Sequence, residues 1–583
     1  MTTRNAFVLA TYMLLLRSAA VAQSPAESPV PPDAEIHKIL ADRIGSQNSG
    51  VAIVVGVIDA KGRRVVSYGS LAKDDKRPLN GDTVFEIGSM TKVFTSLVLM
   101  DMVQKGEVAV TDPVSKYLPA SVKVPERNGK QITLQDLSTQ SSGLPRMPTN
   151  FHPKDDSNPY ADYTAEQLYQ FLSGYQLTRD IGSQYEYSNL AVGLLGHALT
   201  LRAGMDYETM VRSRILDPLG MNSTRVTLTP ELKARLAIGH GPGLSVAPNW
   251  DLAVLAGAGA LRSSANDILT FLAANLGYTK TPLAAAMAAE VSIRRPAGAP
   301  DMQIAYAWHI QTKNENSIIW HNGGTGGYRT YMGFDPKSRA GVVVLSNIAS
   351  AAGPDDIGRH LLDSSYPLEK AEPIKEHVEV TVDSKVFDNY VGTYQLAPNA
   401  IMTMSRDGDR FFTQLTGQPK FEVFPEGERK FFLKVVDAQL TFDADAQGKA
   451  TQVTLHQNGR DMVAKRIDQA QADALTAAAE KRFKDQTPAP GSEAALRRNI
   501  DELRQGQPNY ELMGPALADL TRQQLPQIKA LITQSGAVES VTFKGVGPGG
   551  LDIYEVKFEH GSSEWRIMLQ TDGKVTALGL RPL

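Results

Sequence analysis

Apolar positions along this chain change their period several times, and each change marks a different kind of structure. A helix is expected over Ala34 to Ile44, followed by Val/Ile-rich strands from Val51 to Ile58 and from Arg64 to Tyr68. Thr83-Val84-Phe85-Glu86-Ile87 reads as another strand. After Gly88, the residues Val93, Phe94, Leu97, Val98, Met100 and Met102 make a helix apolar on several faces, as a central buried helix would be, and Gly106 ends it. Several helices and two late strands follow, Thr330 to Phe334 and Gly341 to Leu345. From about Asp33 to Pro367 the pattern predicts an α+β domain: an antiparallel sheet flanked by helices, its late strands rejoining the early ones.

Beyond a charged connector, Pro367 to Val382, the period becomes that of short alternating strands, from about Asp383 to Asp468. Asp407-Gly408, Glu426-Gly427, Gln447-Gly448 and Asn458-Gly459 punctuate them at near-regular intervals, the signature of an up-and-down antiparallel β-barrel. An Ala-rich helix (Gln469 to Arg482) and a Pro-containing loop lead to a last α+β region, read as helix, helix and three strands. Neither C-terminal unit carries a catalytic motif.

The chain's 583 residues exceed one ordinary domain. A net charge of −3 without a basic block gives nucleic-acid binding no electrostatic support. The N-terminus has the pattern of a secretory signal: Arg4, an apolar run from Ala6 to Leu16, and Ala20-Val21-Ala22 as a cleavage site. With no cysteine, an exported protein would fold without disulfides. The expected organisation is a signal peptide at 1–22, a linker at 23–33, the first domain at 34–366, the barrel at 383–468, a helix and linker at 469–491 and the last domain at 492–583. Periplasmic or secreted localisation follows, with no membrane span after cleavage.

Chemistry concentrates at Ser89-Met90-Thr91-Lys92. Ser and Lys three residues apart share a helix face, so an amine stands beside a hydroxyl at a helix start, where free N–H groups and the dipole favour an oxyanion. Ser70-Leu71-Ala72-Lys73 has the same spacing but reads as a loop and serves as an internal control. Tyr187-Ser188-Asn189 lies in a loop before a helix. Tyr187 could shuttle a proton, its phenolate favoured by a lysine cation, and Asn189 could donate to a substrate carbonyl. Packing and helix capping are the plainer alternative for that pair. His321-Asn322-Gly323-Gly324 ends a strand, where the glycines would let a ligand backbone lie close, or would merely make a turn.

In this order and spacing, the three motifs resemble the serine β-lactamase and DD-peptidase superfamily, in its class C β-lactamase-like branch. Phe85-Glu86-Ile87-Gly88-Ser89, Ser142-Gly143-Leu144-Pro145 and Pro218-Leu219-Gly220-Met221 are similar to segments of that branch. The resemblance implies a Ser89 acyl-enzyme, with Lys92 and Tyr187 sharing proton transfer and the N–H groups of Ser89 and Gly324 forming the oxyanion hole. It implies substrate contacts from Asn189, His321, Gly323 and Gly324. Class C β-lactamases carry Tyr-Ala-Asn and Lys-Thr-Gly; here Tyr-Ser-Asn and His-Asn-Gly stand instead, closer to DD-peptidase and D-aminopeptidase members. His321, charged only part of the time near neutrality, is expected beside a substrate carboxylate or leaving group. The barrel is similar to lipocalin-like domains appended to such hydrolases. The last region resembles a cone-shaped domain of the nuclear-transport-factor type.

The expected function is hydrolysis of an amide, lactam or ester in a small molecule or short peptide, including linear unusual peptides. The alternatives are a β-lactamase-like carboxylesterase or a penicillin-binding sensor acylated once. No Gly-x-Ser-x-Gly elbow or His-Glu-x-x-His motif is present, and no Gly-x-Gly-x-x-Gly opens a helix after a strand, so no metal and no cofactor are expected.

Overall fold

Ala52–Asp59 is buried at every position because a strand pairs with it on each side. In the computed structural model these residues form strand β1 of an eight-stranded antiparallel sheet. The others are β2 (Gly62–Gly69), β3 (Arg295–Ala297), β4 (Ala299–Ile304), β5 (His309–Lys313), β6 (Asn316–Gly324), β7 (Arg329–Asp335) and β8 (Ala340–Ser346). Their spatial order is β2-β1-β8-β7-β6-β5-β4-β3, so the late strands do rejoin the early ones. The structure describes residues 28–582 apart from 48–49, 73–74, 351–352, 371–372, 374–376, 398–399, 417, 419, 458–459, 548–549 and 571. The expected signal peptide and Lys73 of the control motif lie outside the described residues.

Side-chain alternation divides the sheet between two cores. Ile53, Val55 and Val57 point to the face covered by helices α1 (Asp33–Ala41) and α5 (Asp355–Leu362), with Ile36, Leu40, Ile357 and Leu361. Val54 and Ile58 point to the other, larger core. Buried there are α2 (Thr91–Gln104), α3 (Asn189–Ala203) and α4 (Ala265–Asn275). Every residue of α2 from Thr91 to Met102 is buried, so Lys92 is carried into the core with its helix.

The second unit is a closed barrel of eight antiparallel strands, from Gly392–Ala397 to Arg460–Ile467. Asp407-Gly408 and Gln447-Gly448 fall at hairpin turns as expected, and Glu426-Gly427 ends the strand just before one; Asn458-Gly459 lies outside the described residues. The last unit packs helices Ser492–Gln505 and Pro515–Ser535 on an antiparallel sheet of four strands, Val538–Val546, Asp552–Phe558, Gly561–Leu569 and Val575–Pro582. The sequence reading expected three strands. The two-residue turn Glu559-His560 separates two of them so briefly that their patterns merge.

Candidate active site

Gly88–Met90 forms one 3-10 turn between the strand Val84–Glu86 and α2. This turn leaves Ser89 partly exposed while Met90 and Lys92 are buried. Strand β6 runs against it. β6 pairs with β7 as far as Gly324↔Arg329, but its pairing with β5 ends at Trp320↔His309, so β5 leaves one edge of His321–Gly324 uncovered. Two glycines permit the contact. A Cβ on Gly323 would stand 1.9 Å from the Ile87 carbonyl oxygen, and one on Gly88 (φ +50°) would stand 2.6 Å from the Gly324 nitrogen. Thr330 Oγ1 also donates to the Ile87 carbonyl at 3.0 Å.

Lys92 Nζ makes three contacts: Ser89 Oγ at 2.8 Å, Asn189 Oδ1 at 2.9 Å and the Ala258 carbonyl oxygen at 2.6 Å. Two of these partners can only accept. Burial, reinforced by the Arg146 cation, pulls the lysine well below its ordinary pKa. An unprotonated amine has two N–H groups and one lone pair. In that form the N–H groups would go to Asn189 and Ala258 and the lone pair to the Ser89 hydroxyl.

The Tyr187 hydroxyl is hydrogen-bonded to Ser89, and Lys92 Nζ lies 4.9 Å from the centre of its ring. Burial pushes this phenol up, against the opposing pull of the Ser89 bond and of Arg146. The sequence argument had the lysine cation favouring a phenolate. Desolvation instead disfavours both charged forms, the ammonium and the phenolate alike.

Ser188, not Asn189, caps α3: its hydroxyl accepts from the Ala191 N–H at 2.9 Å. That leaves Asn189, the first residue of α3, to accept from Lys92 with Oδ1 and to donate to the Tyr160 hydroxyl at 3.0 Å with Nδ2.

His321 differs from expectation. It is 1 % exposed, its Nδ1 is 2.6 Å from the Asn322 carbonyl oxygen, and its Nε2 has no partner among the described residues. Its ring lies 5.1 Å from His309 and 6.3 Å from Tyr187. Burial first, then His309 and Lys92, hold it well below the ordinary imidazole pKa. It is a neutral group beneath the site rather than a part-time cation facing substrate.

The sequence reading missed three members of this cluster. The Ala258 carbonyl carries no side-chain signal. Tyr160 lies in a loop without a motif. Arg146 directly follows Ser142-Gly143-Leu144-Pro145, a segment used only as a mark of resemblance; its guanidinium carbon lies 5.2 Å from the Tyr187 ring centre. Among the described residues, no group of three or more His, Asp or Glu is placed to hold a metal ion. No helix there is long and apolar enough to cross a membrane.

A nucleophile, a buried amine and a tyrosine gathered on one turn invite comparison with known hydrolases. The beta-lactamase family matches residues 38–365. The chain belongs to the beta-lactamase family. The family includes serine β-lactamases and DD-carboxypeptidases, hydrolases of lactam and peptide bonds. D-alanyl-D-alanine-carboxypeptidase/endopeptidase AmpH of Escherichia coli (strain K12) is 32% identical over 322 residues, 52% of this chain and 81% of that protein. A beta-lactamase of Pseudomonas fluorescens is 26% identical over 340 residues, 52% of this chain and 89% of its own. The beta-lactamase/D-alanine carboxypeptidase of Yersinia pestis, solved with citrate, superposes with a TM-score of 0.50 at 27% identity, over 57% of this chain and 96% of that one. Residues 376–469 match a domain of unknown function, DUF3471.

Proposed function

We propose that this chain is an exported serine hydrolase that cleaves a peptide amide, lactam or ester through an acyl-enzyme on Ser89. The observation that carries the reading is the Lys92 amine, buried, held by two acceptors and 2.8 Å from Ser89 Oγ. Lys92 takes the serine proton as Oγ attacks the carbonyl carbon. Tyr187, bonded to the same serine, passes a proton to the leaving group. The backbone N–H groups of Ser89 and Gly324, on a turn and a strand held in contact, receive the oxyanion. Asn189 positions Lys92, and Gly323 and Gly324 admit the substrate along the strand edge. Water then releases the acyl group by the reverse proton path. Among substrates, D-alanyl peptides come first, from the carboxypeptidase relatives, with β-lactams and short esters as further classes. Export rests on the N-terminal pattern of Arg4, Ala6 to Leu16 and Ala20-Val21-Ala22.

A panel of nitrocefin, p-nitrophenyl butyrate, D-aminoacyl p-nitroanilides and a D-Ala-D-Ala peptide tests this reading on the purified protein. Turnover of at least one, abolished by Ser89→Ala, is expected. A stoichiometric burst without turnover would identify a penicillin-binding sensor instead.

A further inference from the structure

His321, the basic group expected to meet substrate, and Lys92, the one expected to transfer protons, are both turned inward. His321 is buried and neutral, and Lys92 spends its three contacts on Ser89, Asn189 and Ala258. A carboxylate entering the cleft would need its cation from elsewhere. The arginines that neighbour site elements are mostly engaged. Arg179 pairs with Glu186 at 2.5 Å. Arg295 donates to Ser141 Oγ at 2.8 Å and stands 3.6 Å from Asp136. Arg329, beside Gly324, donates to the carbonyls of Thr325 and Tyr328 at 2.9 and 3.0 Å.

Arg146 is the exception. Its main chain is fixed, because its carbonyl oxygen accepts the N–H groups of Asn189 at 3.1 Å and Leu190 at 3.2 Å, the start of α3. Its side chain is exposed and lies over the Tyr187 ring, the ring whose hydroxyl is bonded to Ser89. Among the described residues, no carboxylate and no hydrogen-bond acceptor engages its guanidinium. A cation–π contact with the ring holds the guanidinium in place while leaving N–H groups free, which suits two-pronged binding of a carboxylate.

We propose that Arg146 is a specificity-determining residue that binds a carboxylate of the substrate, so that the enzyme selects anionic over neutral acyl compounds. This rests on the Ser89 hydrolase reading. The guanidinium also helps keep Lys92 unprotonated, so its removal alters proton transfer as well. Absolute activity is therefore a poor readout, and the ratio between matched substrates isolates the contact.

Two pairs supply that ratio. In p-nitrophenyl glutarate and p-nitrophenyl butyrate the leaving group is the same and only the first carries an acyl-side carboxylate. In a D-Ala-D-Ala peptide and its C-terminal amide the carboxylate lies on the leaving group. Arg146→Gln should lower the anionic-to-neutral ratio of kcat/KM in at least one pair by about 10- to 100-fold, chiefly through KM, the scale of a hydrogen bond to a charged group. Arg146→Lys should retain part of it, as a point charge without the fork. Unchanged ratios in both pairs, from a variant with wild-type Tm, would overturn the assignment while leaving the hydrolase reading intact. A wild-type protein that cleaves none of the four and takes up no acyl group would overturn the hydrolase reading, and this assignment with it.

Discussion

The cleft of the first unit and the interior of the barrel are both buried, but they are buried in opposite ways. The barrel encloses Phe387, Tyr390, Tyr394, Phe411, Phe431 and Phe442 in mutual ring contact, with centres 4.5 to 6.2 Å apart. Its two tyrosine hydroxyls are satisfied by the carbonyls of Glu428 and Tyr390, at 2.9 and 2.7 Å. Around Ser89, by contrast, the core holds Lys92, His309 and His321, and a ring nitrogen of each histidine has no partner among the described residues. Unpaired polar burial costs stability, whereas aromatic packing supplies it. On the proposed reading the first region moves protons, whereas the second supplies cohesion. The eight-stranded barrel is closed, and side chains fill its interior.

That contrast can be broken at its strongest point first. Lys92→Arg puts a group that cannot release its proton beside Ser89 and should cut the acylation rate on the order of 10²- to 10⁴-fold. In the wild type, kcat/KM should rise with pH along a limb lying well below the ordinary lysine pKa, because the active form is the free amine. Stopped-flow acylation across pH checks both. On the other side, Phe431→Ala removes a fully buried ring from the barrel and should cost about 3–5 kcal/mol of that unit's stability. Denaturant unfolding should show the loss while hydrolysis under folding conditions stays close to wild type. A large loss of activity there would mean that the two regions are coupled.

The smallest of these effects concerns acid. Burial and Lys92 lower His309 to about 4, so it is neutral in the fold and titrates near 6.5 when unfolded. Between those values the unfolded chain binds more protons, so stability falls as pH drops through that window, by about 2–3 kcal/mol at pH 4.5 from this residue. His309→Gln should flatten the slope of unfolding free energy against pH from 7 to 4.5; an unaltered slope would contradict the neutral, buried imidazole.

Much of the first unit was legible because its signals are local. Ser89 and Lys92 share one turn, and the apolar run behind them foretells a buried helix. The hairpin glycines of the barrel mark its strands directly. The electrostatics were not legible, because they depend on partners distant in sequence. His321 is enclosed through His309, which pairs with the preceding Trp320 across the sheet. The Lys92 pKa is lowered by a helix buried on all sides and by Arg146, more than fifty residues away. A motif names the groups; only the packing sets which of them carry charge.

The central claim is that Ser89 alone is the nucleophile. Labelling the protein with a fluorophosphonate or a β-lactam, followed by peptide mass mapping, tests it most directly. One adduct per chain is expected, on the peptide containing Ser89, lost in Ser89→Ala and retained in Ser70→Ala. An adduct that survives Ser89→Ala, or one that maps to Ser70, would contradict the account.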